Sequence, residues 1–157
     1  LTQAVGRAGR GQLPGQAVIQ TYDPEHFAIQ TAKAQDYESF YQHEIAYRKM
    51  MHYPPIWNML LVHCMGKNEQ ITQQTAQLMA DKLQSAIKRS NRPVLLVGPA
   101  DATIAKVNDI YRKVLYMKAA DYQTLVALKD ALEQFGKKTN AFSNVTIQFD
   151  FNPSSGF

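Results

Sequence analysis

Apolar and polar residues alternate along VTIQFDF (145–151). Val145, Ile147, Phe149 and Phe151 take one side, and Thr146, Gln148 and Asp150 the other. A period of two predicts a strand with one face in a core. Three more stretches read as strands: WNMLLVHCM (57–65) as a buried run, RPVLLVGPA (92–100) ended by Gly98-Pro99, and IYRKVLYMKA (110–119). Between them the apolar period lengthens to three and four. Asn68 caps a predicted helix reaching about Ser90, with Ile71, Ala76, Met79, Leu83 and Ile87 along one stripe. Asp121 caps another, in which Leu125, Leu128, Leu132 and Phe135 recur and Gly136 is the expected stop. The order β-α-β-β-α-β predicts an α+β domain, with two helices on one side of a four-stranded antiparallel sheet. That is the ferredoxin-like arrangement.

Upstream the pattern is less regular. GQLPGQ reads as a turn and AVIQTY (17–22) as a short strand. Asp23 followed by Pro24 predicts a helix start, with the helix running to about Lys33. A second helix is expected from Asp36, with Tyr37, Phe40, Tyr41, Ile45 and Met51 near one side, until YPP (53–55) stops it. The expected division is therefore a leading segment (1–22), linker helices (23–55) and a C-terminal ferredoxin-like domain (56–157).

Composition narrows the class. With 157 residues, 45% hydrophobic and 19% charged, the chain can bury a real core as one domain, or as one domain plus part of another. A net charge of +4 weakly favours polyanionic partners. The single cysteine, Cys64, excludes an internal disulfide and a cysteine zinc cluster, and within MLLVHCM it reads as a small buried hydrophobe. His26, His43, His52 and His63 lack ligand spacing, so no metal site is expected. No apolar run reaches the length of a membrane span and no signal peptide is present; the expected location is cytoplasmic, with no membrane partner. A start on Leu1, in mid-motif, suggests a piece of a longer protein.

That motif is QAVGRAGR (3–10). On a helix Gln3, Arg7 and Arg10 share one face, while Gly6 and Gly9 each cost roughly 1 kcal/mol against alanine. Small residues around two guanidiniums allow a ligand close approach, and planar guanidinium forks suit phosphate oxygens. The pattern Q-x-x-G-R-x-G-R resembles motif VI of superfamily-two helicases. With the following QLPGQAVIQTYDPEH, then YPP, VGPADATI, YRKVLYMKA and the closing FDFNPSSGF, the whole chain is similar to the C-terminal end of the primosomal protein N′ (PriA) family of replication-restart DNA helicases.

The resemblance implies that 1–22 ends a second RecA-like helicase lobe, carrying motif VI and a strand. It implies that Gln3, Gly6, Arg7 and Arg10 bind nucleotide, with Arg7 and Arg10 as catalytic finger arginines at the γ-phosphate. The full-length protein would be an ATP-dependent, 3′ to 5′ DNA helicase that recognises stalled or branched forks and restarts replication. ATP and magnesium would be its cofactors, and zinc would sit in an upstream segment. Branched and single-stranded DNA, single-stranded DNA-binding protein and primosome loader proteins would be its partners. No G-x-x-x-x-G-K-[ST] loop occurs in the chain, so this piece alone is expected to bind no cofactor and to hydrolyse no ATP.

The residues also offer a nucleic-acid contact of their own. Arg112, Val114, Tyr116 and Lys118 fall on one face of a central strand, away from the helices, where an aromatic between cations suits a base and its phosphates. Against this, the strand lacks the RNP1 pattern, and Asp150 on the same face would repel phosphate. Lys88, Arg89 and Arg92 at a helix end are accounted for by the helix dipole. The alternative reading is a ferredoxin-like nucleic-acid- or protein-binding module with a basic N-terminal tail and no motor.

Overall fold

In a computed structural model, which describes Leu1, Gln3 and residues 16–154, the chain divides into two compact units, Leu1–Tyr47 and Arg48–Phe157. The first holds α1 (Phe27–Ala34) and most of α2 (Tyr37–Met50). Phe27 stacks on Phe40 and His43 at centroid distances of 5.9 and 5.6 Å. The Asp36 carboxylate starts α2 by accepting from the Ser39 amide at 2.9 Å and its hydroxyl at 2.6 Å.

Two expectations here are corrected. AVIQTY forms no strand: residues 16–21 are irregular, and Val18 and Tyr22 are fully exposed. A strand exists by pairing, and among the described residues no strand pairs with this segment to take its amides and carbonyls. The first helix starts at Phe27 rather than at Pro24, with the His26 imidazole accepting from the Ala28 amide in the capping role assigned to Asp23.

The second unit follows β1 (Asn58–Gly66), α3 (Glu69–Ser90), β2 (Val94–Val107), β3 (Ile110–Ala119), α4 (Tyr122–Thr139) and β4 (Thr146–Phe151). The strands form an antiparallel sheet in the order β2-β3-β1-β4. Period two and the pairing put Leu60, Val62 and Cys64 of β1 beside Leu115, Met117 and Ala119 of β3, on the side that meets the helices. Ala76, Met79 and Leu83 of α3 and Leu125, Leu128 and Leu132 of α4 close over them, with Phe149 and Phe151 of β4 at the margin. Burial of these groups holds the fold together, at roughly 25 cal/mol per Å² of apolar surface removed from water.

Both predicted caps are in place. The Asn68 side chain accepts from the Ile71 amide at 3.0 Å, and Asp121 accepts from the amides of Gln123 and Thr124. Arg92 donates to Asp121 and to the Thr124 hydroxyl, tying the start of β2 to the start of α4. Three details differ from the sequence pattern. Ile71 is 37% exposed, and Thr72 takes the buried position instead, its hydroxyl donating to the Asn68 carbonyl at 2.6 Å. The strand β2 does not end at Gly98-Pro99. Gly98 takes a φ of 106°, the register slips between Val97 and Ala100, and pairing resumes to Val107. The helix α4 runs through Gly136 to a left-handed Asn140. Glycine stands at 136 because a Cβ there would collide with the Phe142 ring.

Cys64 is fully buried, as its apolar context predicts, and its thiol donates weakly to the Thr72 carbonyl. Burial pushes the thiol up to about 11. Because the folded value lies above the unfolded one, this contribution to stability is present below the ordinary thiol range and is lost as pH rises through about 11. Native Cys64 is expected to react with a thiol reagent at mildly alkaline pH at least about a hundredfold more slowly than the urea-unfolded chain. Stopped-flow labelling checks this, and equal rates would place the thiol outside the core.

Candidate nucleic-acid interface on the sheet

The face turned from the helices is built by the same alternation. The central pair sets Met59 opposite Lys118, Leu61 opposite Tyr116, His63 opposite Val114 and Met65 opposite Arg112. Arg112, Tyr116 and Lys118 therefore do share one face, as period two requires. From the edge strand β4, Asp150 stands opposite Leu61 on that face. From β2, Leu95 and Val97 extend it with exposed apolar side chains.

This face is less open than its sequence suggests. Met59, Leu61 and Val114 are buried although they point away from the helices. The segment following α2 lies over one end of it. The Lys118 ammonium donates to the Met51 carbonyl at 3.1 Å and sits 3.7 Å from the centre of the Tyr53 ring, an aromatic contact that accommodates a cation. Burial there holds the Lys118 ammonium below its usual pKa. Burial first, and then the neighbouring Tyr53 phenol, push the Tyr116 hydroxyl up. Arg48, which donates to the Pro54 carbonyl at 2.6 Å, fixes the bend of the same segment.

At the other end Arg112 and His63 are diagonal neighbours, since His63 pairs with Val114 and Arg112 with Met65. They line a cavity of about 250 Å³ with Val114 and with Ala102, Thr103 and Ile104, which bulge from β2 where its register slips again between Asp101 and Lys106. Arg112 Nε and His63 Nδ1 are buried without a hydrogen-bond partner. Burial first, and Arg112 second, hold the His63 imidazole below the usual histidine range, with Asp150 acting in the opposite direction. His63 thus belongs to the same face as Arg112, a placement the sequence reading missed. Its signal was the period of two within NMLLVHCMG, but only the register shows which residue of β3 it meets.

Of the motif residues, Gln3 is exposed, beside Ala28 and Phe40, while Gly6, Arg7 and Arg10 lie outside the described residues. Among the described residues no group of three histidine, cysteine or acidic side chains could hold a metal ion. No described helix is long and apolar enough to cross a membrane.

Residues 49–154 match the family described as the primosomal protein N C-terminal domain. The chain is also similar to proteins named replication restart protein PriA. It is 36% identical to that of Bacillus subtilis over 154 residues, covering 98% of this chain and 19% of the relative. The corresponding protein of Synechocystis is 34% identical over 155 residues, covering 99% and 18%. That of Thermotoga maritima is 31% identical over 137 residues, covering 87% and 17%. The chain thus spans less than a fifth of the length of these relatives. By the match over residues 49–154, the chain belongs to the family of the primosomal protein N C-terminal domain.

Proposed function

We propose that the chain is the C-terminal part of an ATP-dependent DNA helicase that restarts replication at stalled or branched forks. The observation that carries this reading is likeness along nearly the entire chain to proteins named for replication restart. Arg7 and Arg10 serve as finger arginines at the γ-phosphate, with Gln3 and Gly6 beside them. ATP supplies the energy of translocation, which runs 3′ to 5′. The loop that holds its phosphates, the acidic group that holds magnesium and the zinc segment belong, on this reading, to other parts of the full-length protein. On this reading the piece by itself does not hydrolyse nucleotide. Single-stranded DNA-binding protein and primosome loaders are the protein partners, and the cytoplasm is the location.

The domain's own part is to hold DNA on the sheet face that carries Arg112, Tyr116 and Lys118. Replacing Arg112 and Lys118 together by alanine in the full-length protein is expected to weaken fork binding and to flatten its dependence on salt, because fewer counterions are released. Fluorescence anisotropy with a labelled fork at several salt concentrations measures both. The melting temperature is followed alongside, because Lys118 also holds the Met51 carbonyl. Unchanged affinity and slope would remove the sheet face from DNA binding.

A further inference from the structure

We propose that the cavity between β1, β3 and the Ala102–Ile104 bulge is a binding site for one phosphate group, held by Arg112 and His63. The proposal rests on the DNA-holding sheet face above and gives that face a single anchoring point. Buried polar atoms are almost always paired, because an unpaired one forfeits its hydration with nothing in return. Among the described residues, Arg112 Nε and His63 Nδ1 are the buried side-chain atoms left without a partner, and both residues line this one cavity. A guanidinium has donors only, so whatever completes Arg112 must accept hydrogen bonds, and its fixed charge selects an anion. Apolar walls at Ala102, Ile104 and Val114 disfavour a fully hydrated ion and suit the carbon groups esterified to a phosphodiester.

Asp150 shares the face and opposes an anion, and the proton balance of His63 offsets it. The charged groups acting on that imidazole are Arg112 from β3 and Asp150 from β4, and the Ala102–Ile104 wall adds none. Burial first, and Arg112 second, favour the neutral form of His63. An entering phosphate compensates Arg112, draws a proton onto His63 and gains a second cationic donor. Binding therefore strengthens as pH falls from neutral through the usual histidine range.

The test follows the histidine side-chain resonances of the 157-residue chain by NMR. One probe is dimethyl phosphate, whose single charge is constant over the pH range used, and the other is a short oligothymidylate. The expected result is a saturable shift of His63 alone among the four histidines with each probe, together with a rise in its pKa. Arg112→Met should weaken the effect about tenfold or more, the size associated with a charge-assisted hydrogen bond. If that variant does not fold, the wild-type titration alone decides. A silent His63 with both probes overturns the site. If the oligonucleotide then shifts other residues of the sheet face, DNA binding there stands without the anchor. If dimethyl phosphate moves His63 and the oligonucleotide does not, the phosphate site stands and the DNA reading falls.

Discussion

Alanine in place of Arg10 in the full-length protein is expected to lower DNA-stimulated ATP hydrolysis by about 10³-fold or more. An arginine that meets a transferring phosphoryl group stabilises charge that is greatest in the transition state. Its loss should therefore fall on turnover far more than on nucleotide binding. Arg7, three residues away in the same motif, should behave alike. Steady-state turnover at saturating DNA gives the first quantity, and binding of a fluorescent ATP analogue gives the second. Turnover within a few fold of the unaltered protein would mean that QAVGRAGR is only a basic segment, and the module reading without a motor would replace the helicase reading.

The second large effect concerns stability. Leu115 lies at the centre of β3, fully buried, opposite Val62 and within the cluster closed by α3 and α4. Leu115→Ala is expected to cost about 2–5 kcal/mol, combining lost transfer energy with the cavity left behind. Ile71→Ala, which the helical stripe would rank as equally damaging, should change stability by about 0.5 kcal/mol or less, since that side chain faces water. Urea unfolding followed through Trp57, the single tryptophan, reads both from the midpoint at constant slope. Comparable losses in the two variants would mean that the helix is rotated about its axis from the position described.

The contrast between Leu115 and Ile71 shows what the chain's pattern encodes. IYRKVLYMKA is bounded as the structure has it, and the caps at Asn68 and Asp121 were legible because a side chain that meets an amide two or three residues on is a local matter. Gly98 and Gly136 were misread because a glycine reports only that a Cβ is unwelcome. At 136 the reason is the Phe142 ring, and at 98 it is a slip within a continuing strand. The candidate site divides the same way. Arg112, Tyr116 and Lys118 fall together by period two on one strand. His63 joins Arg112, and Lys118 meets Tyr53, only through pairings far apart in sequence, which no local pattern carries.

The two slips along β2 have an effect beyond the site they shape. This strand is the rim of the sheet, and Leu95, Val97 and Ile104 show apolar groups to water along it. A flat rim of that composition would be a template on which identical chains could stack. Interrupted at Gly98 and again after Asp101, it presents no long even row of amides and carbonyls. The irregularity that opens a cavity beside Arg112 therefore also protects the protein against aggregation.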